Sequence, residues 1–270
     1  MILDEIVANK RIEIDKRKTR IPLDEFRRRA ESLQAPYDFA AALCGERVAL
    51  IAEIKPASPS HGTLQENVDP VRTAQLYAKN GAAAISVLTD RKYFHGEPNN
   101  LKAARVACDL PLLRKDFIVD EYQIYESRAL QADAILLIVR ILENTQLRDY
   151  RGLAAELGMA ALVEVHTEEE VERALNAGAQ IIGVNNRNLA NLTTDLATTE
   201  RLASLIPRHV VLVSESGIAT RSDVERMALA GADAVLVGQA LMQADDVASR
   251  VQELSQVARH KPQLTSHKLP

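Results

Sequence analysis

The sequence has no tryptophan, four phenylalanines and only two cysteines, Cys44 and Cys108. Two thiols so far apart exclude a disulfide framework and a cysteine-built zinc site, and their apolar neighbours predict buried free thiols. The six histidines, His61, His95, His166, His209, His260 and His267, show no ligand spacing, so no metal is expected. Long apolar runs are also missing: stretches such as Ala134 to Val139 fall far short of the ~20 residues a spanning helix needs. The amino terminus mixes acids and bases early, through Asp4, Glu5, Lys10, Arg11, Glu13 and Asp15, which suits neither a secretory signal nor an acid-poor transit peptide. A cytoplasmic protein without membrane contact is expected. Charge of one sign is not in excess either: 33 basic residues face 37 acidic ones, for a net charge of -4, which argues against a nucleic-acid-binding surface over the whole molecule.

What is present is enough apolar material, 47% of 270 residues, for one barrel-sized domain or two smaller ones. The most informative stretch runs from Ala52 to Ser60. Side chains alternate faces along a strand, so Glu53 and Lys55 share a side with Ala49 and Ile51, while Leu50, Ala52 and Ile54 take the other. A strand apolar on both faces belongs in a covered parallel sheet, and charges at its carboxyl end mark the edge where such sheets place their chemistry. An exposed ion pair at a strand end is the plainer alternative. Pro56 and Pro59 end the pairing and leave Ser58 and Ser60 on the following loop.

Residues 2 to about 35 read as helical, with a break near Ile21-Pro22. Their basic cluster, Lys16, Arg17, Lys18, Arg20, Arg27, Arg28 and Arg29, fits a solvated face better than a lid that carries positive charge to a substrate. From Val48 the chain alternates β-rich runs with helical segments. The runs are Val48 to Lys55, Ala83 to Leu88, Pro111 to Lys115, Asp133 to Val139, Met159 to Val165, Gln180 to Asn185, His209 to Ser214 and Asp233 to Val237. Asp69 with Pro70 suits a helix start, and Thr167 with Glu170 predicts a capping box. About eight strands alternating with about eight helices predict an α/β fold, a (β/α)8 TIM barrel with an N-terminal helical extension. The expected division is one domain over 1–270, with the extension at 1–47, the barrel at 48–259 and a flexible tail at 260–270. A weak repeat agrees: Asn80-Gly81-Ala82, Ala177-Gly178-Ala179 and Ala230-Gly231-Ala232 each precede a strand, and Gln131-Ala132 keeps the pattern without its glycine. These sites lie roughly fifty residues apart, at every second strand.

In a barrel the strand ends meet at one mouth. The polar residues there are Glu53, Lys55, Lys115, Glu164, Asn185, Arg187, Glu215 and Ser216. Three acids meet three bases, a near-neutral crowd in which ionised groups can persist and lysine or glutamate pKa values can be displaced toward acid–base work. Any one of them alone could be a rim salt bridge. Gly217 and Gly238, each before a helix after the last two strands, let backbone amides approach an anion where barrels commonly hold phosphate, and Ser58 could add a hydroxyl. His166 reads as a helix-start or surface residue ahead of one that tunes Glu164; Asp116 should face away from Lys115 and brace the loop. Tyr93 and Phe94 could line a ring pocket or pack over the mouth.

The segments Glu53-Ile54-Lys55 with Ser58-Pro59-Ser60, Leu88-Thr89-Asp90 with Tyr93-Phe94, Arg114-Lys115-Asp116-Phe117-Ile118, Leu162-Val163-Glu164-Val165-His166, Gly183 to Leu189 and Val213 to Ile218 resemble, in order and over nearly the whole chain, the indole-3-glycerol-phosphate synthase family. The resemblance implies a lyase of tryptophan biosynthesis that turns 1-(2-carboxyphenylamino)-1-deoxyribulose 5-phosphate into indole-3-glycerol phosphate without a cofactor. It implies that Lys115 is the general acid for ring closure, that Glu164 and Lys55 are the other acid–base groups, and that Glu53, Asn185, Arg187, Glu215 and Ser216 orient the substrate. By the same resemblance Ser58, Gly217 and Gly238 surround the phosphate. The expected partner is this small sugar phosphate, with no nucleic acid and no membrane, and a monomer is expected ahead of an oligomer. Pro56 and His61 stand where more basic residues are usual, and Gln239-Ala240 replaces a glutamate–serine pair. Rival readings are a phosphoribosyl-type isomerase, which needs only one acid–base pair, and a catalytically silent barrel that binds a phosphorylated ligand.

Overall fold

The computed structural model describes residues 2–188 and 192–260. Eight strands, β1 (Ala49–Ile54), β2 (Ala84–Leu88), β3 (Leu112–Lys115), β4 (Ala134–Ile138), β5 (Ala160–Val165), β6 (Ile181–Asn185), β7 (Val211–Glu215) and β8 (Ala234–Val237), close into a barrel. Every neighbouring pair is parallel, and β8 pairs with β1 to shut the ring through Ala49↔Ala234 to Ala52↔Val237. The expected (β/α)8 architecture is the observed one. Strand ends differ from the expected runs by one or two residues, most usefully at β7, which continues through Glu215.

Period-2 alternation separates two cores. Inside the barrel lie Ile51, Ala84, Leu113, Leu136, Leu162, Ile181, Val213 and Leu236. Between barrel and helices lie Leu50, Ala52, Ile54, Val163, Val165, Ile182, Val184 and Val235. Because Glu53, Lys115, Glu164, Asn185 and Glu215 have the inward parity, the pleat itself aims them at the mouth.

The helices are α1 (Ile2–Lys18), α2 (Leu23–Glu31), α3 (Phe39–Ala42), α4 (Pro70–Lys79), α5 (Arg91–Phe94), α6 (Pro98–Ala107), α7 (Glu121–Ala129), α8 (Asn144–Glu156), α9 (Glu168–Asn176), α10 (Ala197–Ala203), α11 (Arg221–Leu229), α12 (Gln239–Met242) and α13 (Val247–Ser255). None among the described residues is long and apolar enough to cross a membrane. Proline lacks an N–H, so α1 stops before Pro22, the residue that starts α2. Helix α2 packs Phe26 edge-on against Tyr122 of α7, with ring centroids 5.2 Å apart. Phe39 and Leu43 of the α3 turn join the inner core, closing the end of the barrel opposite the mouth. Asp69 caps α4 by accepting from Val71 N at 2.9 Å, with Pro70 in the first turn.

The repeat has a backbone cause. Gly81, Gly178 and Gly231 take φ values of 109°, 79° and 97°, the left-handed conformation that ends a helix before the next strand. Gln131 takes the same conformation, φ 67°, at the site without glycine.

Three expectations need correction. Cys44 is exposed on the turn after α3, and Cys108 is only half-buried at the end of α6, where its Sγ lies 3.6 Å from Ala104 O. The Thr167–Glu170 capping box is half formed: Thr167 Oγ1 accepts from Glu170 N at 3.2 Å, but the Glu170 carboxylate accepts from His166 N at 2.7 Å, one residue before the cap. His166 is buried and sits off the surface. Of the expected flexible tail, residues 261–270 lie outside the described residues, as does Leu189 of the fifth motif.

Candidate active site

The strand ends surround a cavity of about 430 Å³. Every catalytic and substrate-binding residue that the resemblance implies lines it: Lys115, Glu164, Lys55, Glu53, Ser58, Asn185, Arg187, Glu215, Ser216, Gly217 and Gly238. The volume falls in the range of small-molecule sites.

Lys115 stands at the centre. Its Nζ lies 2.9 Å from Glu164 Oε2 and 2.8 Å from Glu215 Oε2, joining the ends of β3, β5 and β7. Asn185 Nδ2 donates to Glu164 Oε1 at 3.1 Å, and Asn185 Oδ1 accepts from Arg187 N at 3.0 Å. A second pair, Lys55 Nζ to Glu53 Oε2 at 2.7 Å, occupies the end of β1. Arg187 donates to Ser60 Oγ, which also meets His61 Nδ1 at 2.8 Å and Ser58 Oγ at 3.4 Å. The loop after β6 is thereby tied to the loop after β1. Pro56 is buried, and its carbonyl accepts from Leu64 N at 2.8 Å and Gln65 N at 3.1 Å, which holds the base of the β1 loop.

Two glycines make room for the acids. A Cβ on Gly238 would lie 2.2 Å from Glu53 Oε2, and one on Gly183 would lie 2.0 Å from Glu215 Oε1. Ser216 and Gly217 both have positive φ, 68° and 82°, so the chain turns sharply just beyond Glu215; at Ser216 that conformation is strained.

Burial would lower the Lys115 pKa, but the carboxylates of Glu164, Glu215 and Glu53 outweigh it and hold the ammonium well above the ordinary lysine value. Burial likewise opposes ionisation of Glu164, yet Lys115, His166 and the hydrogen bonds from Lys115 and Asn185 keep its carboxyl below the usual range. Glu215 goes the other way. Burial, opposed by Lys115 and reinforced by repulsion from Glu164, pushes it up to about 7. His166 is pulled down by burial, but its hydrogen bond to Glu170 and the Glu164 carboxylate raise it overall. Its Nδ1 lies 3.2 Å from Glu170 Oε2 and its Nε2 3.5 Å from Glu164 Oε1, so its ring contacts both acids.

The Glu215 shift has a stability consequence. The folded protein keeps a proton on Glu215 from the ordinary value of 4.5 up to about 7, where the unfolded chain has released it. The stabilisation is fully present below the unfolded pKa and is lost as pH rises through the folded one. Thermal melts of the wild type and of Glu215→Gln should therefore converge or cross between those two values, the wild type losing Tm with rising pH relative to the variant. Parallel melting curves across that window would count against a raised Glu215.

The apolar side of the cavity was only partly legible. Phe94 lines it, near Phe117 with ring centroids 5.9 Å apart, whereas Tyr93 does not. Leu136 and Ile138 of β4 add to it. Helix α1 supplies Ile2, Leu3 and Ile6, so what the extension turns to the mouth is apolar. The basic cluster at its carboxyl end pairs elsewhere, Lys18 with Asp120 at 2.7 Å and Arg17 with Glu126 at 2.8 Å. Gln239 and Ala240 line the cavity beside Gly238.

A sequence profile of the family described as "Indole-3-glycerol phosphate synthase" matches residues 3–254. A protein of that name from Roseiflexus sp. (strain RS-1) is 52% identical over 262 residues, covering 94% of this chain and 97% of its own. One from Dehalococcoides mccartyi (strain CBDB1) is 50% identical over 258 residues, covering 94% of this chain and 100% of its own. Among solved structures, 3-hexulose-6-phosphate synthase from Salmonella typhimurium superposes with a TM-score of 0.63 at 17% identity, covering 77% of this chain and 97% of that one. Thiamine phosphate pyrophosphorylase from Pyrococcus furiosus gives a TM-score of 0.58 at 18% identity, covering 77% and 94%. At such identities the two solved structures speak for the barrel alone.

Proposed function

The chain belongs to the indole-3-glycerol phosphate synthase family, and from that membership together with the cavity we infer that Lys115, Glu164 and Lys55 carry out its chemistry. The enzyme is a decarboxylating lyase of tryptophan biosynthesis: it closes the indole ring of 1-(2-carboxyphenylamino)-1-deoxyribulose 5-phosphate with loss of carbon dioxide and water. The observation that carries the residue assignment is the bridging of Glu164 and Glu215 by one buried lysine at the centre of the mouth.

An aromatic carbon attacks a ketone, and negative charge develops on the ketone oxygen; a preorganised ammonium there stabilises it and delivers a proton. Lys115 does this. Near neutral pH Glu215 gains a proton readily, yet it stays within hydrogen-bond reach of Lys115, so the ammonium keeps its position with Glu164 as its ionised partner and a third N–H for the substrate. The electrons released with carbon dioxide pass into the iminium formed on closure, so no cofactor is required. Dehydration then needs a base for a ring proton and an acid for the departing hydroxyl. Glu164, held ionised by Lys115 and Asn185, is the base, and Lys55 the acid. Glu53, Asn185, Arg187, Glu215 and Ser216 orient the substrate, and the phosphate sits against Ser58, Gly217 and Gly238. The wall of Phe94, Phe117, Leu136 and Ile138 takes the aryl ring. We place the reaction in the cytoplasm, on a monomer that engages neither nucleic acid nor membrane.

The test is direct because the chain has no tryptophan to mask an indole product. Protein incubated with the carboxyphenylamino sugar phosphate and no added cofactor should develop indole fluorescence. Silence from folded protein would favour the silent-barrel reading, and sugar isomerisation without fluorescence the isomerase.

A further inference from the structure

The buried stripe of α1 is Leu3, Ile6, Lys10 and Ile14, one lysine in a row of aliphatic residues. Lys10 is 1% exposed. A leucine there would continue the aliphatic row, whereas a buried ammonium is retained only if it is paired. Its Nζ lies 2.7 Å from Asp90 Oδ2, 2.9 Å from Asp116 Oδ1 and 3.2 Å from Glu13 Oε2.

Both aspartates belong to the mouth. Asp90 follows β2 and caps α5 by accepting from Tyr93 N at 2.8 Å, and α5 carries Phe94 to the cavity. Asp116 directly follows Lys115, accepts from Phe117 N at 2.8 Å and from Thr89 Oγ1 at 2.7 Å, and pairs with Arg114 at 3.1 Å. Arg114 continues to Glu126 at 2.7 Å, and Glu126 returns to α1 through Arg17 at 2.8 Å. Lys10, Arg114 and Arg17 thus link Asp90, Asp116 and Glu126 in a closed circuit that begins and ends on α1.

We propose that Lys10 is a positioning residue of the active site: it locks α1, and with it Ile2, Leu3 and Ile6, onto the two loops that present Phe94, Lys115 and Phe117. This rests on the lyase reading of the cavity. Ring closure requires the aryl carbon near van der Waals contact with the ketone, and a displacement of about 1 Å can cost about a hundredfold in rate. Asp116 anchors the chain directly after Lys115, and Ile2, Leu3 and Ile6 line the same cavity as that ammonium, so one side chain bears on both.

Wild-type turnover is measured first, since its absence overturns the lyase reading and says nothing of Lys10. Lys10→Met is then assayed below its melting point, with circular dichroism to establish folding. The kcat should fall about tenfold or more and KM should rise by a smaller factor, and Lys10→Arg should recover most of the loss. If Lys10→Met does not fold, the Lys10→Met/Asp90→Asn variant, which removes one charge of each sign, takes its place with the same expectation. A residue that only stabilises the fold would lower Tm and leave KM untouched. Folded variant with wild-type KM and kcat overturns the proposal.

Discussion

Lys115→Ala should lower turnover by on the order of a hundredfold or more while product still binds. The substitution removes the one cation between Glu164 and Glu215, whose carboxylates both lie within 3 Å of its Nζ. Two buried carboxylates left facing each other cannot both stay ionised, so Glu215, already raised to about 7, takes a proton and the site stays intact in outline. Binding survives because Arg187, Ser58 and the glycine turns lie on other strand ends. Chemistry does not, because no other ammonium reaches the same point: Lys55 is held 2.7 Å from Glu53 at the end of β1. Single-turnover fluorescence with the carboxyphenylamino sugar phosphate, and titration with indole-3-glycerol phosphate, separate the two effects. Near-normal turnover with intact binding would move the general-acid role to Lys55. Loss of both would mean that Lys115 holds the cavity open and is not itself the acid.

Much of this arrangement could be read from the chain because it depends on local parity. Glu53 shares a face with Ile51, and Glu164 with Leu162, whatever surrounds them, so strand alternation fixes their direction. The helix-ending turns at Gly81, Gly178 and Gly231 were legible for the same reason, and Gln131 adopts the shape its repeat position requires despite its Cβ. The role of Lys10 was not legible. Its partners lie on the loops after β2 and β3, far along the chain, and its place in the stripe of Leu3, Ile6 and Ile14 says nothing of what pairs it. Thr167 and Glu170 had the spacing of a capping box, but Glu170 is drawn back to His166, whose ring contacts Glu164. A competing local bond, to the amide one residue before the cap, overrode the motif there.

Gly183→Ala should abolish most activity and leave the fold standing. Gly183 sits in β6 with inward parity, paired to Glu164 on one side and Val213 on the other. Its φ is not among the left-handed values, so alanine meets no backbone strain, and in a strand the lost flexibility of the unfolded chain would by itself favour the variant by about 0.4–1 kcal/mol. What opposes it is a single contact: the new Cβ would lie 2.0 Å from Glu215 Oε1, with Glu215 Cδ and Leu162 Cδ1 both at 3.1 Å. The nearest atom is the tip of a flexible side chain, so the strain is relieved by moving the Glu215 carboxylate and not the barrel. That movement takes it off Lys115, which then leans wholly on Glu164 and is no longer held toward the ketone. The expected result is a loss of about a hundredfold in kcat with Tm within a few degrees of wild type. Gly152→Ala in α8, where a Cβ meets nothing within 4 Å, controls for glycine replacement as such and should leave activity unchanged. If Gly183→Ala turns over like the control, Glu215 does not need its observed position, and the reading of Lys115 as an ammonium poised between two acids loses one of its supports.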